Sequence, residues 1–317
     1  MKGASLLVRW GLGSIIVWLI FCGAIGIFAL EGALHPVRLS LAQLDKAQAQ
    51  SIAARNHAKL TDVAIPGEDG AILRGWSMQP LASNGDTVIL LHGQAGNRAG
   101  MLNNADIMLR HGYAVLLPDS RAHGETGGQI ATYGVEEVED VRRWFEWIER
   151  SEAPHCIEGL GDSMGGAILL QSLIAEPGFC AVVAESAFAT FDEAAFDRLG
   201  QKFGTGPWLG RTVLRPALEA GLLYAHWRYR IDLSQDSPER AVASSRIPVF
   251  LIHGLADSNL PPRHAEMIKA GNGAVALWEP AGAGHCEAAT VAPEEYERRV
   301  VAWFQSHDAS DGGVTRH

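Results

Sequence analysis

Four cysteines in 317 residues, with no C-x-x-C pair among them, exclude the common zinc and dithiol motifs. There is no Walker loop, and no G-x-G-x-x-G follows a first strand, so the usual nucleotide-binding signatures are missing too. Basic charge is also short: 26 Lys and Arg face 36 Asp and Glu, for a formal net charge of -10. That balance argues against nucleic acid and against a basic patch laid on anionic lipid. No internal repeat is present. At 47% hydrophobic and 20% charged, the chain buries a substantial core as a single α/β domain.

Charge is wholly absent from one further stretch, Trp10 to Leu30, where Ile, Val, Leu, Phe and Trp dominate. About 21 residues at roughly 1.5 Å each span a hydrocarbon core of about 30 Å. Lys2 and Arg9 precede the run, which predicts a single-pass signal anchor with a cytoplasmic N-terminus and an exported domain, periplasmic in a bacterium. A cleavable signal peptide is the rival reading. Its apolar core is shorter, about 7–15 residues, and Ile27 and Glu31 spoil the small-x-small pattern at the nearest cleavage positions. Residues 1–33 are accordingly read as the anchor and 34–60 as a helical connector.

The richest local feature is Gly161-Asp162-Ser163-Met164-Gly165. It follows the strand-like run Ile157–Leu160 and opens a small-residue helix from Gly166. A serine on so sharp a strand-to-helix turn holds its hydroxyl out into a cleft. Such a hydroxyl needs a base, and the base an orienting group. Asp257 lies just beyond the buried strand pattern Ile247–His253, and His285 follows a strand-like stretch ending near Pro280. The order is Ser163, Asp257, His285, each just past a strand, where a parallel sheet gathers its site. An oxyanion needs donors as well. The strand Thr87–Leu91 runs into His92-Gly93-Gln94-Ala95-Gly96-Asn97, so the backbone N–H groups of Gln94 and Met164 are the expected pair. His92 and His253, each before a glycine at a strand end, read as packing groups. Arg121 and His123 read as scaffold, and Glu185 and Ser186 as an alternative position for the acid.

These segments together resemble the α/β-hydrolase superfamily, in its small esterase-like and peptidase-like members, over roughly residues 60–306. The resemblance rests on GDSMGG, HGQAGN, HGLADSNLP, the Ser–Asp–His order, and Asp119-Ser120-Arg121-Ala122-His123-Gly124. It implies a mostly parallel eight-stranded sheet with helices on both faces and a helical cap insertion. It also implies a serine hydrolase of carboxylic esters working through an acyl-enzyme on Ser163, Asp257 and His285, with no metal or cofactor. Peptidase, amidase or thioesterase activity is the alternative, and a catalytically silent scaffold a more distant one. The implied partners are a small ester or acyl substrate and, through the N-terminal helix, a membrane.

Strand patterns fall at 61–65, 71–78, 87–92, 113–118, 156–161, 181–185, 248–253 and 274–280, alternating with helical ones. The catalytic domain is read as 61–306 and the polar tail as 307–317. Residues 187–245 interrupt the alternation with eight Phe, Trp and Tyr residues and the Leu222-Leu223 pair, suited to a lid with an apolar pocket over Ser163, to ordinary helix packing or to membrane contact. Cys156 and Cys180 open neighbouring strands, and two buried thiols are expected there in preference to a disulfide.

Overall fold

A computed structural model describes residues 2–201, 203–234 and 237–307, with 2–9 as helical backbone only. The elements run α1 (Lys2–Leu34), α2 (Gln43–Arg55), β1 (Ala58–Pro66), β2 (Ile72–Pro80), β3 (Thr87–Leu91), α3 (Leu102–Arg110), β4 (Ala114–Pro118), α4 (Glu137–Ser151), β5 (Ile157–Asp162), α5 (Met164–Ala175) and β6 (Val182–Glu185). They continue as α6 (Phe191–Gln201), α7 (Trp208–Arg211), α8 (Arg215–Tyr229), α9 (Pro238–Ser244), β7 (Val249–Ile252), α10 (Arg263–Gly271), β8 (Ala276–Trp278), α11 (Ala288–Val291) and α12 (Pro293–Gln305). A 3-10 turn, Arg98–Met101, precedes α3.

The chain divides into two compact units. The larger holds Pro36–Thr190 and Asp236–His317, and all eight strands lie in it. Their order is β1-β2-β4-β3-β5-β6-β7-β8, antiparallel across the first two pairings and parallel thereafter. Alternate residues serve different layers, as a period of two requires. Val88 and Leu90 of β3, Val115 and Leu117 of β4, and Phe250 and Ile252 of β7 join one core with α2, α3 and α12. Leu90 has no exposed surface, and truncating such a residue costs about 2–5 kcal/mol. The chain leaves β3 toward β4 on one side and returns to β5 on the other, a topological switch point.

Two expectations need correction here. The connector is helical only over Gln43–Arg55, and Ala58–Leu60 already belong to β1, paired with Met78–Pro80. Cys156 and Cys180 are not thiols but a disulfide with Cα atoms 5.8 Å apart, 24 residues apart in sequence. The β5–β6 pairing brings the starts of those strands together, and closing a loop of this size is worth on the order of 3 kcal/mol. The tail expected over 307–317 lies outside the described residues from 308 onward.

The smaller unit comprises Met1–His35 and Phe191–Gln235, narrower than the 187–245 read as an insertion. Within it, Trp10–Leu34 of α1 is long and apolar enough to cross a membrane. The later half of α1 packs on α8 through small residues. A Cβ on Gly26 would lie 1.9 Å from the Ala217 carbonyl oxygen, and one on Gly221 would lie 3.0 Å from the Gly26 oxygen. The backbones approach so closely that only glycine fits. Tyr229 Oη donates to Glu31 Oε1 at 2.7 Å beyond that seam.

Candidate active site

The carboxyl ends of β3, β5, β6 and β7 finish level with one another, Leu91 opposite Gly161, Asp162 opposite Glu185, and Glu185 opposite Ile252. The loops after these strands therefore leave from one edge. Ser163 is the first residue past β5, with φ 53° and ψ -114°, a conformation that costs a non-glycine residue about 1–3 kcal/mol. Its surroundings hold it there. Ser163 N–H donates to the Glu185 carbonyl at 2.7 Å, and a Cβ on Gly165 would fall 2.3 Å from the Leu91 oxygen. Ala95, Ser186 and Cys286, on neighbouring loops of the same edge, also have positive φ. Strain concentrated this way is characteristic of sites where the surrounding fold over-determines geometry.

Three of the residues expected from the sequence come together as a hydrogen-bonded chain. Ser163 Oγ donates to His285 Nε2 at 2.9 Å, and His285 Nδ1 donates to Asp257 Oδ2 at 2.8 Å. The tautomer follows from the partners, because an ionised carboxylate only accepts. Asp257 is ionised. Burial opposes its charge, but hydrogen bonds from His253, His285 and the Leu260 amide outweigh that and hold its carboxyl far below the usual range. The Asn259 and Leu260 amides both donate to Oδ1 at 2.9 Å, leaving Oδ2 aimed at the imidazole. His285 keeps 23% of its side-chain surface exposed, while the Asp257 side chain has none.

The Gln94 loop lies against the serine: a Cβ on Gly93 would sit 3.4 Å from Ser163 Cβ. Met164 opens α5, where a first-turn amide has no carbonyl four residues earlier to serve. The Gln94 amide side chain donates to Tyr133 Oη at 2.5 Å. His123 Nε2 accepts from the Ala95 amide at 3.1 Å while its Nδ1 donates to the Arg121 carbonyl. His92 does the same one strand over, accepting from Ser120 N–H and donating to the Gly93 carbonyl. Burial, then the neighbouring His123, pulls its pKa down to about 3, so it is neutral and fixed. Arg121 grips Asp140 of α4 in a fork, Nε to Oδ2 at 2.9 Å and Nη2 to Oδ1 at 2.8 Å.

Glu185 and Ser186 are placed differently from an acid partner. Ser186 Oγ accepts from the Cys286 amide at 3.1 Å, and Glu185 Oε1 accepts from the Ala288 amide at 2.9 Å. Together with the Ser163 contact, this short segment ties the serine turn to the loop that carries His285. Sequence reading missed that role; two polar residues at a strand end give no sign of which backbone they will hold. Beside them, burial pushes Asp162 up to about 7, and burial together with Asp162 pushes Glu185 up to about 8. Among the described residues no group of three His, Cys, Asp or Glu side chains converges as a metal site requires.

Comparison with known proteins agrees with this architecture. Residues 82–220 match the family model of the serine aminopeptidases, S33. The chain is 26% identical over 211 residues to the uncharacterized protein YqkD of Bacillus subtilis, covering 66% of this chain and 67% of that one. It is 25% identical over 214 residues to the uncharacterized YfhR of Escherichia coli K12, covering 65% and 66%. In three dimensions it is similar to the Pyrococcus furiosus esterase Pf2001, with a TM-score of 0.67, 25% identity, and coverage of 87% of this chain and all of that one. The Pyrococcus horikoshii acylaminoacyl peptidase shares the fold at a TM-score of 0.59 and 17% identity, over 82% of this chain and 43% of that one. The chain has the α/β-hydrolase fold, with a mostly parallel eight-stranded sheet. Its structural matches include an esterase, and the family model and the fold together support a hydrolase.

Proposed function

We propose that this hydrolase cleaves carboxylic esters through an acyl-enzyme on Ser163. The observation that carries the reading is the unbroken chain from Ser163 Oγ through His285 to Asp257. Ser163 attacks the carbonyl carbon as His285 Nε2 takes its proton. Asp257 holds the imidazole in the required tautomer and stabilises its charged form. The N–H groups of Gln94 and Met164 receive the developing oxyanion. His285 then protonates the departing alcohol, and water repeats the sequence on the acyl-enzyme. The likeness to an esterase at 25% identity supports an ester over an amide. The family model's aminopeptidase description favours an amide as the second reading.

The same proposal places the protein in a membrane. Trp10–Leu34 serves as the span, Lys2 and Arg9 keep the N-terminus cytoplasmic, and the Cys156–Cys180 disulfide suits an exported, oxidising location for the sheet unit.

A fluorophosphonate probe tests the chemistry. Wild type is expected to label and Ser163→Ala to remain blank. Nitrophenyl esters of graded acyl length, run beside aminoacyl amides, decide the substrate class. Equal labelling of both proteins ends the serine reading, and faster turnover of amides than of esters replaces esterase with peptidase.

A further inference from the structure

Between α1 and α2 the chain runs without regular structure over residues 36–42, and most of that stretch is exposed. Exposed irregular segments are the more mobile parts of a fold. This one is fastened. Arg38 Nη1 donates to the Thr126 carbonyl and Nη2 to the Gly128 carbonyl, both at 2.9 Å. One residue further on, the Leu39 carbonyl accepts from Asn97 Nδ2 at 3.2 Å. A rigid guanidinium fork on two carbonyls fixes their mutual placement as no single bond does. The downstream end is held as well, because Arg55 Nε and Asn56 Nδ2 of the α2 end donate to Asp106 Oδ1 at 2.9 and 2.7 Å.

Both fastenings fall on the supports of the Gln94 loop. Asn97 ends that loop, and its Oδ1 caps the 3-10 turn after it by accepting from the Ala99 amide at 2.9 Å. Thr126 and Gly128 close the loop that carries His123. Thr126 N–H donates to the His123 carbonyl at 3.1 Å, and Ala122 N–H to the Gly127 carbonyl at 2.9 Å. His123 Nε2 in turn accepts from the amide of Ala95, the residue next to Gln94. Ala95 has φ 57°, a conformation that persists in a non-glycine residue only where its neighbours over-determine it. The hold on Ala95 requires a neutral His123, since a protonated ring has no acceptor left. Burial foremost, and the Arg38 charge with it, lowers the His123 pKa against the Arg121 carbonyl, Glu137 and Asp119. Arg38 thus supports this loop by geometry and by charge.

We propose that Arg38 is a positioning residue for catalysis: with Leu39 it makes the connector a strap that holds the Gln94 amide where the oxyanion forms. The rate at the sheet edge then depends on how the chain between α1 and α2 is seated. The proposal rests on the reading of Gln94 N–H as an oxyanion donor. Seating matters at this distance because a misplacement of about 1 Å, made far from the chemistry, costs up to about a hundredfold.

The test keeps the full chain, in detergent micelles, and compares Arg38→Ala, Arg38→Lys and Asn97→Asp with wild type. Lysine keeps the charge without the fork, and aspartate keeps the cap on Ala99 without the donor to Leu39. Active sites are counted by fluorophosphonate labelling to completion, so kcat on a nitrophenyl ester refers to competent enzyme alone. Inhibition by a boronic acid, which becomes a tetrahedral anion on the serine, reports the oxyanion donors. Arg38→Ala is expected to lower kcat about tenfold, to leave KM within about twofold, and to weaken boronate inhibition by the same factor as kcat. Arg38→Lys and Asn97→Asp are expected to fall between it and wild type. Should Arg38→Ala give no labelled protein, these two decide by the same readouts. A kcat per labelled site equal to wild type in the variants overturns the strap, whatever happens to the melting temperature. Lower kcat with unchanged boronate inhibition also overturns it, because the loss then bypasses the oxyanion. Turnover of amides in place of esters changes the substrate used and not the test. A wild type that neither labels nor turns over either substrate removes the reading of Ser163, and the strap's role falls with it.

Discussion

The two units of this chain are built on opposite plans. In the sheet unit, apolar side chains are inside, and buried charged pairs such as Arg121 with Asp140 and Asp257 with His285 hold one another. In the unit of α1 and α6–α8, Gly26, Ala217, Gly221 and Ala225 let two backbones approach closely beside the buried Cys22, Leu30 and Leu34, and many large apolar side chains point outward. Among the described residues, fifteen of the 23 large exposed hydrophobics fall in this smaller unit. Water drives apolar surface inward. A helix pair with glycine and alanine at its closest approach and many large apolar side chains outside is suited to lipid, where close backbone approach replaces the hydrophobic effect as the source of association. One unit thus concentrates polar chemistry on a strained edge, and the described part of the other presents an apolar surface suited to lipid.

The largest expected effect would break the comparison at the sheet edge. Ser163→Ala and His285→Ala are each expected to lower ester turnover by roughly 10⁴–10⁶, since groups acting as a unit fail together. Asp257→Asn is expected to cost a similar amount or less. Turnover of a nitrophenyl ester, with circular dichroism to certify folding, is the measurement. A Ser163→Ala protein that keeps most of its rate moves the chemistry away from this edge altogether.

Truncation probes the other unit. Removing residues 1–33 strips the cover from Ala217, Gly221 and Ala225, so aggregation and loss of a cooperative melt are expected. Removing only residues 1–21 leaves Cys22, Gly26, Leu30 and Leu34 in place, and a dispersible folded protein is expected. Size-exclusion chromatography and thermal melts distinguish the two. Equal behaviour of the two truncations means that the seam contributes nothing to the insertion. From sequence alone the boundary falls at 33, because charge and hydropathy mark where an apolar run ends and not what its faces touch.

That contrast runs through the whole molecule. The eight strands were legible because β-branched and leucine runs alternate with helical patterns, and Ser163 was legible because glycines flank it between a strand and a helix. Asp257 and His285 gained meaning from their position after strands and not from their own neighbours. What stayed hidden depends on residues far apart in sequence. Gly26 and Gly221 sit in apolar stretches 195 positions apart with nothing local to pair them. Cys156 and Cys180 bond because β5 and β6 are adjacent and in register, which pattern alone only suggested. Ala58–Leu60 continue a helical composition, yet pairing with Met78–Pro80 draws them into the sheet.

The strand-end acids sharpen the comparison within the sheet edge itself. Asp162 and Glu185 hold their protons to about 7 and 8, against ordinary values near 4. The folded state therefore binds protons that the unfolded state has released, and the stability this brings is full below about pH 4 and lost as pH rises through 7 to 8. Asp257 has the opposite sign: its contribution is present above about pH 4 and lost as pH falls toward its lowered value. Urea denaturation is accordingly expected to show lower stability at pH 9 than at pH 6, with Glu185→Gln reducing that difference. A wild type equally stable at both values shows that the two acids are ionised in the fold.

The smallest effect tests how the oxyanion loop is used. Gln94 Nε2 donates to Tyr133 Oη, so its side chain already has a structural partner, and the proposed contact with substrate is made by the backbone N–H. Gln94→Ala removes the side-chain hydrogen bond to Tyr133, such a bond being worth about 0.5–1.5 kcal/mol, and keeps the backbone amide. Its activity is expected within about tenfold of wild type, since roughly 1.4 kcal/mol is a factor of ten. Tyr133→Phe removes the same bond from the other end, so the double variant is expected to lose little more than either single one. Gln94→Pro deletes the N–H itself and is expected to cost about 2.7–4 kcal/mol in the barrier, the worth of one oxyanion donor. Because proline also fixes φ, melting temperatures are compared before the loss is assigned to the donor. A folded Gln94→Ala protein that loses activity as severely as Gln94→Pro places the side chain, and not the backbone, against the substrate.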